Sequence, residues 1–137
     1  LLLIPNPIAR LKPTNKKICI KSHNLFGEMN MVKAAFIQDE TEFDSLLSSE
    51  SLLVVDCTAT WCGPCKLVAP LMDKLAEDYG DRIKVFKLDL DSNKSVAKRF
   101  GIRSIPAVMV FKQGEVMETL IGVKPYEEFK AAVERQL

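Results

Sequence analysis

The chain has 137 residues, 47% hydrophobic and 27% charged, with a formal net charge of +1. That length fits one domain with a tail, and the balanced charge argues against a disordered chain and against a nucleic-acid or membrane partner. No apolar run approaches the ~20 residues that a bilayer-spanning helix needs.

Residues 1–30 differ from the rest. They hold Pro5, Pro7 and Pro13, show no sustained periodicity, and carry Arg10, Lys12, Lys16, Lys17 and Lys21 against Glu28 alone. The basic excess therefore belongs to this segment, and the remainder is net acidic. The segment reads as disordered or non-native upstream sequence, with Met31 a natural start for a domain over 31–137. A targeting peptide and a functional basic arm are the competing readings.

From Met31 the elements alternate. Val32–Ile37 suits a short edge strand. Asp39 or Thr41 can cap a helix carrying Phe43, Leu46 and Leu47 at i, i+3 and i+4. Leu52–Cys57 is a continuous apolar run broken only by Asp56, the pattern of a buried parallel strand. A long helix follows, with Leu67, Val68, Leu71, Met72, Leu75 and Tyr79 on one broad face. Pro70 interrupts that helix and Gly80 stops it. Ile83–Leu88 is the next strand. Asp91 or Ser92 caps a short helix that runs through Phe100 and ends at Gly101.

Ala107–Phe111 and Val116–Ile121 read as strands joined by a tight turn at Lys112–Glu115, and so as a hairpin. Gly122 breaks the second run. Pro125 opens a final helix whose apolar face is Tyr126, Phe129, Val133 and Leu137. The order β-α-β-α-β-α-β-β-α predicts an α/β domain: a central mixed sheet flanked by helices on both faces.

The chemistry concentrates in Trp61-Cys62-Gly63-Pro64-Cys65. The pair lies just after a strand and at a helix start, where unpaired backbone N–H groups and the helix dipole stabilise an anion. A thiolate is such an anion, and it is the nucleophile of disulfide exchange. Cys62, the more exposed position, is expected to attack. Cys65, one turn on, is expected to resolve the mixed disulfide, so the two form a reversible dithiol/disulfide switch. Structural zinc is disfavoured, because a second ligand pair is missing and the single histidine, His23, lies in the tail. Four cysteines are also too few for a disulfide-stapled secreted scaffold.

Five further positions stand out. Asp56 enters the core with an apolar run, where a carboxyl is expected to be neutral or paired and its pKa raised. It could accept the proton of Cys65, or it could be a strand-end carboxylate facing water. Lys87, on the neighbouring strand, pairs with Asp56 if both face one side; a solvated lysine is the alternative. Ile105-Pro106 precedes a strand. A cis bond there would turn the Ile105 backbone outward for an extended substrate, whereas a trans proline is the ordinary case. Trp61 can cover the thiols or present apolar surface. Cys57 alternates with Asp56 and reads as a small core hydrophobe, with a third redox thiol as the minority reading. Cys19 is incidental.

From about Val32 to Leu137 the chain resembles the thioredoxins. The likeness rests on Val55-Asp56, Trp61-Cys62-Gly63-Pro64-Cys65-Lys66, Pro70, Lys87-Leu88-Asp89, Gly101-Ile102-Arg103, Ile105-Pro106-Ala107, Phe111–Glu115 and Gly122. The resemblance implies a thioredoxin fold and the reduction of protein disulfides, with no metal or organic cofactor. It implies Cys62 as nucleophile, Cys65 as resolving cysteine, Asp56 as the buried carboxylate paired with Lys87, and a cis Pro106. Trp61, Gly63, Pro64, Ile105, Pro106, Gly122 and Val123 would line the docking surface. The implied partners are disulfide-containing target proteins and a thioredoxin reductase fed by NADPH or ferredoxin, around a monomer in the cytoplasm. A plastid stroma is the alternative if residues 1–30 are a transit segment.

Two rival functions remain. One is a disulfide oxidase or isomerase, against which the Gly63-Pro64 dipeptide speaks by analogy. The other is a non-catalytic scaffold of the same fold. The chain departs from the commonest pattern where Cys57 and Thr58 replace an aromatic pair and Thr60 replaces an acidic or small residue. The loss of the second aromatic is expected to loosen packing beneath the active-site loop and to bear on partner choice.

Overall fold

A computed structural model of the chain describes residues 33–137. The strands are β1 (Ala35–Ile37), β2 (Leu52–Thr58), β3 (Lys84–Asp89), β4 (Ala107–Lys112) and β5 (Glu115–Ile121). The helices are α1 (Glu40–Ser49), α2 (Cys65–Tyr79), α3 (Lys94–Phe100) and α4 (Tyr126–Glu134). Their order in the chain is the one the patterning predicts. The sheet runs β1-β3-β2-β4-β5. Pairs β1–β3 and β2–β3 are parallel, and β2–β4 and β4–β5 are antiparallel. Helix connections carry the chain between parallel neighbours, and the two-residue loop Gln113-Gly114 joins the β4–β5 hairpin. Both loop residues have positive φ, 53° and 83°, as the primed hairpin turn demands. A Cβ at position 114 would also meet the Leu47 carbonyl oxygen at 3.2 Å.

Side chains alternate across β2 and build two cores. Leu52 and Val54 pack with Val68, Met72 and Leu75 of α2 and with Phe129 and Val133 of α4. Leu53, Val55 and Cys57 pack with Phe43 of α1 and Val96 of α3 on the other face. Phe43, Phe100 and Phe111 meet edge to face there, with ring centroids 5.4–5.8 Å apart. Such pairs add to what area burial alone supplies. By the same alternation Asp56 falls on the α2 side and Cys57 on the α1 side.

Local signals explain most of the boundaries. The Asp39 carboxylate accepts the Glu42 N–H at 2.9 Å and caps α1. Gly101, at φ 68°, ends α3 in the left-handed conformation. Three expectations need correction. The residue capping α3 is Asn93, one or two places beyond those predicted, and its side-chain amide donates to the Asp89 carbonyl instead of capping. Leu67 is 61% exposed, because the buried stripe of α2 is the narrower set Val68, Met72, Leu75 and Tyr79. Leu137 is also exposed, since α4 ends at Glu134 and the buried face there is Phe129, Ala132 and Val133. Cys19, His23 and the expectations for residues 1–30 lie outside the described residues, as does Val32.

Candidate active site

Cys62 and Cys65 are joined as a disulfide, with Cα atoms 5.4 Å apart, inside the usual span for such a bridge. The chain reaches this point because β2 ends at Thr58, and a turn in which the Cys62 N–H donates to the Ala59 carbonyl at 3.1 Å leads into α2. The helix itself starts at Cys65, not at Cys62. The Cys65 N–H, one of its unpaired first-turn donors, points at Cys62 Sγ at 3.2 Å. Cys62 thus sits where an anionic sulfur gains from the helix start. The expected difference in exposure is not seen, as both residues are buried, at 4% and 2%. The two cysteines cluster with the buried Ala59, and Ile105 packs against them.

Asp56 lies behind this pair. It is fully buried, and neither carboxyl oxygen has a hydrogen-bond partner among the described residues. Burial pushes its carboxyl up from 3.8 to about 7; the Lys87 ammonium opposes the rise and the Asp73 carboxylate adds to it. A group titrating there can take and return a proton near neutral pH.

Lys87 stands beside Asp56 in the parallel register of β2 and β3. The expected ion pair between them is not formed. The Lys87 ammonium lies 3.2 Å from the Asp73 carboxylate on α2 instead. Register fixes which backbones are neighbours, but the long lysine chain reaches the carboxylate of Asp73, which the Ala34 N–H also holds.

A cavity of about 240 Å³ opens beside the site. Thr58, Ala59 and Thr60 line it together with Asp56, Cys65 and Lys87. It lies beneath the active-site loop, where the sequence departs from the common aromatic pair. Cys57 is a free thiol buried in the opposite core. Burial first, and then the nearby Asp56, push it up to about 12, so it stays protonated and unreactive.

The surface around the sulfurs is apolar. Trp61 is 70% exposed and Val123 is 49% exposed, while Gly63 and Pro64 are also open. The Ile105–Pro106 bond is cis, and the Gly122 N–H donates to the Pro106 carbonyl at 2.8 Å. This bond ties the start of β4 to the end of β5, so Ile105, Gly122 and Val123 border one edge. Among the described residues the Ile105 backbone has no backbone hydrogen-bond partner. Two residues of this region were missed in the sequence. The Asp91 carboxylate accepts from Trp61 Nε1 at 3.1 Å and from Thr60 Oγ1 at 3.4 Å, anchoring the exposed indole. Asp73 is the other; its place two turns after Cys65, in register with Lys66 and Ala69, was the available signal.

Comparison with known proteins agrees with this geometry. The thioredoxin family model matches residues 34–135. Thioredoxin 1 of Synechococcus elongatus is 41% identical over 107 residues, covering 78% of this chain and all of that protein. The chloroplastic M-type thioredoxin of Pisum sativum is 36% identical over 125 residues, 90% of this chain and 73% of that one. A mutant thioredoxin from Halobacterium salinarum superposes with a TM-score of 0.71 at 30% identity, covering 77% of this chain and 92% of that chain. Likeness of this extent, in a chain whose two motif cysteines already form a disulfide, makes it a member of the thioredoxin family, a thiol–disulfide oxidoreductase that reduces protein disulfides.

Proposed function

We propose that Cys62 attacks and Cys65 resolves. The reduced Cys62 thiolate attacks one sulfur of a target disulfide; that S–S bond breaks, one target thiolate leaves, and a mixed disulfide forms. Cys65 then passes its thiol proton to the Asp56 carboxylate and attacks Cys62 Sγ. The second target thiolate leaves, the target has gained two electrons, and the Cys62–Cys65 disulfide remains. The observation that carries this reading is the buried carboxyl behind Cys65 with no partner of its own. Trp61, Gly63, Pro64, Ile105, Pro106, Gly122 and Val123 form the surface on which an extended target segment lies, with the Ile105 backbone as its pairing edge.

A thioredoxin reductase, fed by NADPH or by ferredoxin, returns two electrons to the disulfide, and the working unit is a monomer. The test is reduction of insulin disulfides, followed by turbidity, with each class of reductase in turn. A Cys62→Ser variant is expected to be inactive; full activity in that variant would favour a scaffold instead. A reduction potential at the strongly oxidising end would favour an oxidase.

One observation favours a plastid over the cytoplasm. The alignment to the chloroplastic pea thioredoxin, at 125 residues, is longer than the described part of this chain, so it reaches into residues 1–32. Those residues then belong to the protein and act as a targeting segment, not as foreign sequence. A fluorescent fusion carrying residues 1–32 should enter plastids, and a diffuse cytoplasmic signal would overturn this assignment.

A further inference from the structure

We propose that Asp73 is a positioning residue of the redox site, holding the Lys87 ammonium out of contact with Asp56 so that the buried carboxyl forms no ion pair. The kinetic consequence rests on the reading of Asp56 as proton acceptor; the electrostatic one does not.

Three contacts support it. Lys87 and Asp56 are direct neighbours in the β2–β3 register, so Asp56 is within the lysine's compass. The Lys87 Nζ nevertheless meets Asp73 Oδ1 at 3.2 Å, and both side chains are largely buried, at 11% and 15% exposed. Asp73 Oδ1 also accepts the Ala34 N–H at 2.9 Å. That bond fixes the carboxylate between α2 and the start of β1, and it holds the lysine there with it. Lys87 also lies over the Phe36 ring, 6.0 Å from its centroid.

The charges facing Asp56 are few. From β3 come Lys87 and Asp89, and from α2 come Cys65, Lys66 and Asp73. β4 offers the uncharged Val108 in register, and β1 offers Phe36. Cys57 faces the other core. Within this set Asp73 acts twice: it engages the nearest cation, and its own charge opposes ionisation of Asp56. Of the causes that set the Asp56 carboxyl, burial is the largest, Lys87 the next and the Asp73 charge the smallest, so the placement of Lys87 is the larger of the two roles of Asp73.

The test uses the full chain in its oxidised form, so that no active-site thiol titrates. Asp73→Asn keeps an acceptor for the Ala34 N–H and removes the charge. The Asp56 carboxyl is followed by carbon-13 NMR against pH. Its midpoint should fall by at least about one pH unit, as Lys87 turns to Asp56. The same change made in a Lys87→Met background should move the midpoint less than half as far. An unmoved or raised midpoint overturns the proposal. An equal shift in both backgrounds also overturns it, because the effect would then come from the lost Asp73 charge or from altered packing, and not from the placement of Lys87. Asp73→Ser, which can also accept from Ala34, carries the same expectations should the asparagine variant not fold. The pH profile of insulin-disulfide reduction by the Asp73→Asn protein is expected to move with the Asp56 midpoint. A moved midpoint with an unmoved profile supports Asp73 as the positioning residue and overturns Asp56 as the proton acceptor.

Discussion

Replacing Asp56 with asparagine keeps the shape of the side chain and removes its titration. The carboxyl goes from an ordinary 3.8 to about 7 on folding. At about 1.4 kcal/mol per pH unit, that displacement corresponds to roughly 4 kcal/mol. The sign follows from proton binding. Between pH 3.8 and 7 the folded chain holds a proton that the unfolded chain has released, so stability falls as pH rises through this window and levels off above it. By pH 5 the wild-type protein has lost about 1.6 kcal/mol through this group, and by pH 8 about 4. The asparagine variant escapes that loss. Its advantage over the wild type should therefore grow by roughly 2–3 kcal/mol between the two pH values. Urea unfolding of the oxidised protein at pH 5 and pH 8 measures it. With a slope of about 1–3 kcal/mol per molar urea, the gap between midpoints should widen by about 1–3 M. Cys57 titrates far above this range and does not interfere. A gap of the same size at both pH values would refute the raised carboxyl and the burial argument behind it.

Other outcomes follow from the same geometry. A Cys65→Ser protein should accumulate a mixed disulfide with its target, visible as a heavier band on a non-reducing gel and released by dithiothreitol; absence of that adduct counts against Cys62 as nucleophile. Thr58→Trp, which fills part of the cavity beside Cys65, should raise the unfolding free energy by on the order of 1 kcal/mol, and a lowered urea midpoint would contradict it. Phe43→Ala empties the centre of the aromatic trio and should cost about 3–5 kcal/mol in the same assay. Asp91→Ala frees the indole of Trp61, the sole tryptophan of the chain. Its fluorescence should change intensity or wavelength, and an identical spectrum would dismiss the Asp91 anchor.

The parts of the site that were legible in the sequence are those governed by period. Alternation along Leu52–Cys57 set Asp56 and Cys57 on opposite faces, and the structure has them there. The strand and helix order followed from the same reading, with Gly and Pro as punctuation. What escaped depends on the rotation of a helix about its axis and on competition between side chains. Asp73 faces the sheet because α2 turns that stripe toward β1 and β3, and no local pattern states which of two carboxylates a lysine will choose. Leu67 shows the same difficulty from the other side: its apolar character is no guide once the helix has turned it to solvent. The anchor between Trp61 and Asp91 joins residues 30 positions apart, which a local reading cannot pair.

Strand β2 is paired in parallel on one side and antiparallel on the other. At the end of the sheet where β2 finishes, β4 therefore begins. The two cysteines leave the sheet there, and Ile105 and Pro106 enter it there, on stretches of chain that α2, β3 and α3 separate. The thiols and the cis-proline edge beside them are thereby inherited on separate lengths of sequence. A crossover between relatives placed in the loop before α3 would interrupt no strand, yet it would hand the thiols of one parent the Ile105–Pro106 edge of the other.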